Sequence, residues 1–289
     1  HQHLKNIKDL KIQFLGTSYE WITEYNKDKD QQLIDKLNEN GINIHNIKNI
    51  LITGVQSSKC FKGESISNIL SKISGKIYQM ADSNNFVLEN VHTVGYYDRL
   101  GVEHPQASVA GLAVNTELFR PNKNLKDSFI VHIDHRMLGR YEHFDKIKEK
   151  LYLIKDIVSK SNRWSGLEIY YHSELVTDIN VLGTYDPAVI KIIQLKEIYS
   201  KSHLAFVSHA ETLGQYPLEM LSCGTTIITG PKLIPKQVAR QIVWNDIDAF
   251  DYEKYITEVS EKDFQKNRDS VLNYDYKNFI NNIIRIIFK

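Results

Sequence analysis

Apolar residues recur along this chain in two rhythms. Short, mostly apolar runs rich in β-branched and aromatic residues recur at 11–16 ("KIQFLG"), 49–55 ("NILITGV"), 129–134 ("FIVHID"), 167–172 ("LEIYYH"), 179–183 ("INVLG"), 204–209 ("LAFVSH") and 225–230 ("TTIITG"). Such runs read as strands covered on both faces. Segments of helical period lie between them. Those at 28–41 and 64–75 close on Gly41 and Gly75, and 144–160 is long and amphipathic. Those at 187–202 and 216–224 carry Pro187 and Pro217 in the first turn, and the second ends at Gly224. The alternation predicts an α/β chain with parallel strands and helices on both faces. Sheets of that kind bind ligands beyond the carboxyl ends of their strands.

Composition narrows the function classes. The 289 residues suffice for one large domain or two ordinary ones. A formal net charge of +1 argues against broad electrostatic capture of nucleic acid. Cys60 and Cys223 lie far apart and fit a reducing cytosol better than a disulfide framework. No run reaches the ~18 apolar residues of a membrane span, and the first residues carry no signal-peptide pattern.

One segment departs from the buried pattern. In "HAETLGQYPLEMLSCGT" (209–225), Glu211 and Glu219 stand with seven residues between them. Glu211 follows the strand ending near His209, where a crevice is expected. Gly214 then permits close backbone approach, and a helix begins with unpaired N–H groups that suit an anion. Glu219 is expected in that helix's first turn, while Leu218, Met220 and Leu221 pack. Two carboxylates and a helix N-terminus suit a polyhydroxylated ligand that carries phosphate. The competing reading makes Glu219 a favourable charge on its helix dipole and Glu211 a solvated loop residue. The run "HIDH" (132–135) is a rival metal signal. On a strand, His132 and Asp134 face one side and His135 the other, so no metal site is predicted.

The same segment resembles retaining glycosyltransferases of the GT-B fold, family 4 in particular. That family's pattern is Glu-Gly-Phe-Gly, four residues, then Glu-Ala-Met-Ala-Cys-Gly-Thr. Here it reads "ETLG", "QYPL", "EMLSCGT", with Thr212 and Leu213 as departures. "GLAVNTELFRP" (111–121) is similar to the family's entry into its second domain. Residues 181–211 are similar to its approach to the motif, and the resemblance covers about 106–289.

The resemblance implies two Rossmann-like domains facing a cleft, the N-terminal one short. Residues 1–110 would form the acceptor side, either reduced or lacking N-terminal sequence. Residues 111–270 would bind the nucleotide sugar. Residues 271–289 would pack back on the first domain as a helix, with a partner surface or peripheral membrane association as alternatives. Glu219 would bind ribose, and Glu211 would sit near the reacting centre of the sugar. The backbone at Gly214, Gln215 and Tyr216 would approach sugar hydroxyls or phosphate, that at Gly183, Thr184 and Tyr185 would lie beside the base, and His209 would lie near the sugar. Arg136 matches the arginine of the diphosphate clamp. The lysine expected next is absent, with Tyr141 and Glu142 in its place. Arg140 or Lys146 could replace it, Arg140 as a two-pronged phosphate ligand unless it is an ordinary surface charge.

No cofactor or metal is implied, because this fold holds the diphosphate with protein groups. The implied activity is transfer of a sugar from a nucleotide sugar to a glycan, lipid-linked or protein acceptor. The implied setting is cytoplasmic polysaccharide biosynthesis, at the inner membrane face in one version. The rivals are a nucleotide-sugar epimerase on the same fold and a catalytically silent binding or scaffold subunit.

Overall fold

The computed structural model describes residues 35, 38, 39, 41–52, 75–81, 92–95, 107–123, 127–134, 144–171, 174–182, 192–207, 215–230 and 243–288. The expected strand at 11–16 and, apart from Gly75, the expected helix at 64–75 lie outside them. The chain divides into two compact units. One is His1–Gly111 with Phe279–Lys289, and the other is Leu112–Asn278.

The first unit holds a parallel sheet of β1 (Asn49–Ile52), β2 (Lys76–Ala81), β3 (His92–Gly95) and β4 (Ser108–Val109), ordered as in the sequence. Its core gathers Tyr78, Met80, Val94 and Ala110 with Ile283 from the chain's last helix. Polar contacts tie that helix down. The Tyr78 hydroxyl donates to the Ile287 carbonyl at 3.2 Å, and the Asn282 amide donates to the Ala110 carbonyl at 3.1 Å. His92 is exposed and bonded to the Ser108 hydroxyl at 3.0 Å.

The second unit is built on six strands. They are β5 (Phe129–Ile133), β6 (Leu167–Tyr171), β7 (Glu174–Leu175), β8 (Leu204–Val207), β9 (Thr226–Thr229) and β10 (Asn245–Asp246). Their order is β10-β9-β8-β5-β6-β7, and only β7 runs antiparallel. All residues of β5, β8 and β9 are buried, as continuous apolar strands of a two-faced sheet should be. Helix α1 (Phe144–Lys160) covers the sheet with Phe144, Ile147, Leu151, Ile154 and Val158, a stripe of helical spacing. Helices α2 (Ile192–Lys201), α3 (Gln215–Ser222), α4 (Tyr252–Glu258) and α5 (Glu261–Asp269) follow, and α6 (Tyr276–Ile287) is the chain's last helix, most of which belongs to the first unit. His203 stacks on Phe129 at 5.2 Å, and its Nδ1 accepts the Ile130 N–H at 3.0 Å. Burial lowers its pKa to about 3, so it stays neutral.

One expected strand is absent. Residues 179–181 form a 3-10 turn, Ile179–Val181. The Asp178 carboxylate accepts the Asn180 N–H at 2.9 Å, and the Leu182 N–H returns to the Ile179 carbonyl at 3.2 Å. These local bonds outcompete the β preference of a short β-branched run.

The end of α3 shows why Cys223, Gly224 and Thr225 follow it. The Thr225 N–H donates to the Met220 carbonyl at 2.9 Å and the Gly224 N–H to the Leu221 carbonyl at 2.8 Å, a Schellman closure. Gly224 has φ +75°, and a Cβ there would stand 2.8 Å from the Phe264 Cβ. Gly224→Ala should therefore lower the unfolding free energy by at least about 2 kcal/mol, since the left-handed conformation alone costs roughly 1–2 kcal/mol. A urea unfolding midpoint unchanged from wild type would contradict this packing.

Candidate functional site

The strand order of the second unit locates a crevice. From β5 the chain moves through α1 to β6 on one side, and β8, β9 and β10 lie on the other. The direction of travel across the sheet therefore reverses between the neighbours β5 and β8. In doubly wound sheets, the carboxyl ends flanking such a reversal form the ligand crevice. Two of the segments carrying expected site residues follow these ends, and a third follows the 3-10 turn. Arg136 and Arg140 follow β5, His209, Glu211 and Gly214 follow β8, and Gly183, Thr184 and Tyr185 follow the 3-10 turn. These eight residues lie outside the described ones. Gln215, Tyr216 and Glu219 are described, and all three fall on α3.

Helix α3 is nearly engulfed. Tyr216, Pro217, Leu218, Met220, Leu221 and Ser222 are buried, leaving exposed Gln215 and half-buried Glu219. These two are four apart and share one stripe. Glu219 is the fifth residue of the helix, so it lies past the first turn where the sequence pattern had put it. Helical side chains lean toward the N-terminus, which carries the Glu219 carboxylate back toward Gln215 and the crevice end. The Gln215 side-chain amide donates to the Ala113 carbonyl at 3.3 Å.

Among the described residues, no hydrogen bond or ion pair reaches the Glu219 carboxylate. Burial pushes its pKa up to about 7. Cys223, one turn on, is buried, and desolvation raises its thiol to about 12, which keeps it protonated and inert. Tyr216 contributes its ring to the core, with its hydroxyl 2.8 Å from His132 Nδ1. His132 is thus engaged in a buried pair. Among the described residues, no cluster of three His, Cys, Asp or Glu could hold a metal ion. None of their helices is long and apolar enough to cross a membrane.

A half-buried carboxylate with a raised pKa opposes folding when ionised. The folded state holds this proton up to about pH 7, whereas an ordinary carboxyl loses it near 4.5. Glu219 is therefore best tolerated below pH 4.5, and stability is lost as pH rises through 7. Glu219→Gln should raise the melting temperature at pH 8 by an amount equivalent to about 3 kcal/mol at most. The gain should shrink as pH approaches 4.5. A variant less stable than wild type at pH 8 would show that the carboxylate is satisfied within the protein.

No protein-family model matches this chain, and no curated protein matches it in sequence. Solved structures do share its fold. A glycosyltransferase from Rickettsia africae is 11% identical, with 96% of this chain and 83% of that one covered and a TM-score of 0.51. A putative UDP-N-acetylglucosamine 2-epimerase from Listeria monocytogenes is 13% identical, with 90% and 77% covered and a TM-score of 0.53. The Anabaena protein HepE, solved with UDP-glucose, is 8% identical, with 90% and 81% covered and a TM-score of 0.51. These likenesses identify the fold as GT-B, α/β with Rossmann-like parallel sheets.

Proposed function

We propose that this chain is a retaining glycosyltransferase that takes a sugar from a nucleotide-sugar donor and passes it to a glycan, lipid-linked or protein acceptor. The observation that carries the reading is the Glu219 carboxylate, half-buried and without a hydrogen bond or ion pair among the described residues, on the helix that follows a switch-point strand. Leaving such a group unpaired costs stability, and a ligand with paired hydroxyls, such as ribose, would satisfy it. The resemblance of residues 209–225 to the family 4 motif and the GT-B fold support the same assignment.

In this reading Glu219 accepts from the ribose hydroxyls. The amides at the start of α3, at Gln215 and Tyr216 with Gly214 before them, meet sugar hydroxyls or phosphate oxygens. Bond breaking leaves negative charge on the departing diphosphate. Arg136, Arg140 and the N-terminal amides of α3 would stabilise that charge as it grows. Glu211 and His209 lie beside the sugar, Glu211 as a positioning and electrostatic group, and Gly183, Thr184 and Tyr185 border the base. Protein cations supply the charge here, so the reading calls for no metal. The work would take place in the cytoplasm, with the inner membrane face as the meeting point for a lipid-linked acceptor.

A second reading, nucleotide-sugar epimerisation, has one observation behind it, the shared fold with the Listeria putative epimerase. An epimerase converts its nucleotide sugar with no acceptor present, whereas a transferase needs one for productive turnover.

Screening UDP, GDP, CDP, ADP and dTDP by thermal shift should reveal one base that raises the melting temperature. Glu219→Ala should then weaken that nucleotide by about tenfold, the scale of a lost charge-assisted hydrogen bond. Wild-type affinity should also rise between pH 6 and pH 8, as Glu219 and the terminal phosphate of the nucleotide both ionise in that range, and the rise should be shallower in Glu219→Gln. Glu211→Ala should lower turnover more than nucleotide affinity. A Glu219→Ala variant that binds its nucleotide as tightly as wild type would defeat the ribose assignment.

A further inference from the structure

Beneath the packed side of α3 lies a buried polar pair. His132, fully buried on β5, places Nδ1 2.8 Å from the hydroxyl of Tyr216, the second residue of α3. Tyr199 of α2 closes the cluster edge-on, with ring centroids 5.0 Å from His132 and 5.7 Å from Tyr216. Packing alone does not demand these groups, since phenylalanine and leucine would fill comparable space with no polar atoms to satisfy. A hydrogen bond differs from apolar packing in being directional, so it fixes one position rather than a range.

We propose that His132 and Tyr216 form a positioning pair for the donor. It locks the first turn of α3 to β5, one of the two strands that flank the switch point. Tyr216 and Glu219 are three apart and neighbour one another on the helix surface. A slip of the Tyr216 ring is therefore a slip of the Glu219 carboxylate. The inference rests on the reading of α3 as the donor helix, and it assigns a role to side chains that touch no ligand themselves. Binding energy depends steeply on such placement, because groups displaced from the productive geometry lose it.

The test is a double-mutant cycle on nucleotide affinity. Titrations use UDP, or whichever of GDP, CDP, ADP and dTDP gives the larger shift with the wild-type chain. Tyr216→Phe keeps the ring and removes the bond, and it should weaken binding about tenfold. In a Glu219→Ala background the same change should matter by roughly twofold or less, because its effect runs through Glu219. A merely structural role would not produce that coupling. Should Tyr216→Phe fail to fold, His132→Asn and His132→Leu replace it. Asparagine can present a polar atom near the Nδ1 position and should bind close to wild type, whereas leucine should not.

Wild-type binding with no loss in Tyr216→Phe overturns the pair and leaves the donor reading intact. So does a loss that persists undiminished in Glu219→Ala. A wild-type chain that binds none of the five nucleotides overturns the donor reading and the pair with it.

Discussion

The carbonyls at the C-terminal end of α3 are where the second unit is tied together. Two basic side chains converge there. The Arg268 guanidinium donates to the Ser222 carbonyl at 2.7 Å, the Phe119 carbonyl at 3.0 Å and the Thr116 carbonyl at 2.8 Å. The Lys123 amine donates to the Cys223 carbonyl at 2.7 Å and lies 5.3 Å from the Phe264 ring centroid, and burial lowers its pKa to about 7. The Arg268 charge complements the dipole at the helix C-terminus, and both side chains satisfy carbonyls that the helix leaves unpaired. Asn267 adds bonds to the Gly224 carbonyl at 3.2 Å and the Thr226 hydroxyl at 3.0 Å. The segment entering the unit, the helix and α5 are thereby joined at one point. With its far end fixed, α3 can aim its first turn at the crevice with little freedom to drift.

That rigidity gives Glu219 its meaning. Six of the eight residues of this short helix are buried, and Glu219 lies on the one stripe that is not fully covered. Desolvation pushes the group up to about 7, the behaviour of a charge whose water has been partly removed and not replaced. Sites that bind ligands often carry such a cost, because the group that would stabilise the free protein is not the group that recognises the ligand. In the proposed reading the segment divides by role: Glu219 would meet the ligand, while the Cys223-Gly224-Thr225 tail closes the helix and belongs to the architecture.

Much of this was legible in the sequence because strand and helix periods differ. The runs at β5, β6, β8 and β9 are continuous and apolar, and α1 repeats its buried positions at helical spacing. The parts that escaped have local causes. Strands β7 and β10 are two residues long, and β10 is Asn-Asp, a pair that favours turns. Strands β2, β3 and β4 are short and carry polar residues, so no run announced them. The 179–181 segment looked like a strand until the Asp178 side chain claimed its backbone. The His132–Tyr216 bond joins residues 84 positions apart, and no periodicity reports such a pairing. His132 drew notice only as a metal candidate, since a histidine beside an aspartate reads the same way whether it binds an ion or a tyrosine.

The most direct measurement of the central claim is an amide-resolved NMR titration of the wild-type chain with nucleoside diphosphates. If the first turn of α3 is the donor-binding end, the backbone amides of Gln215 and Tyr216 should shift strongly and saturably with one nucleotide. Amides of the buried C-terminal closure at Gly224 and Thr225 should move little. Saturable binding whose shifts map elsewhere in the chain, with Gln215 and Tyr216 unmoved, would contradict the account.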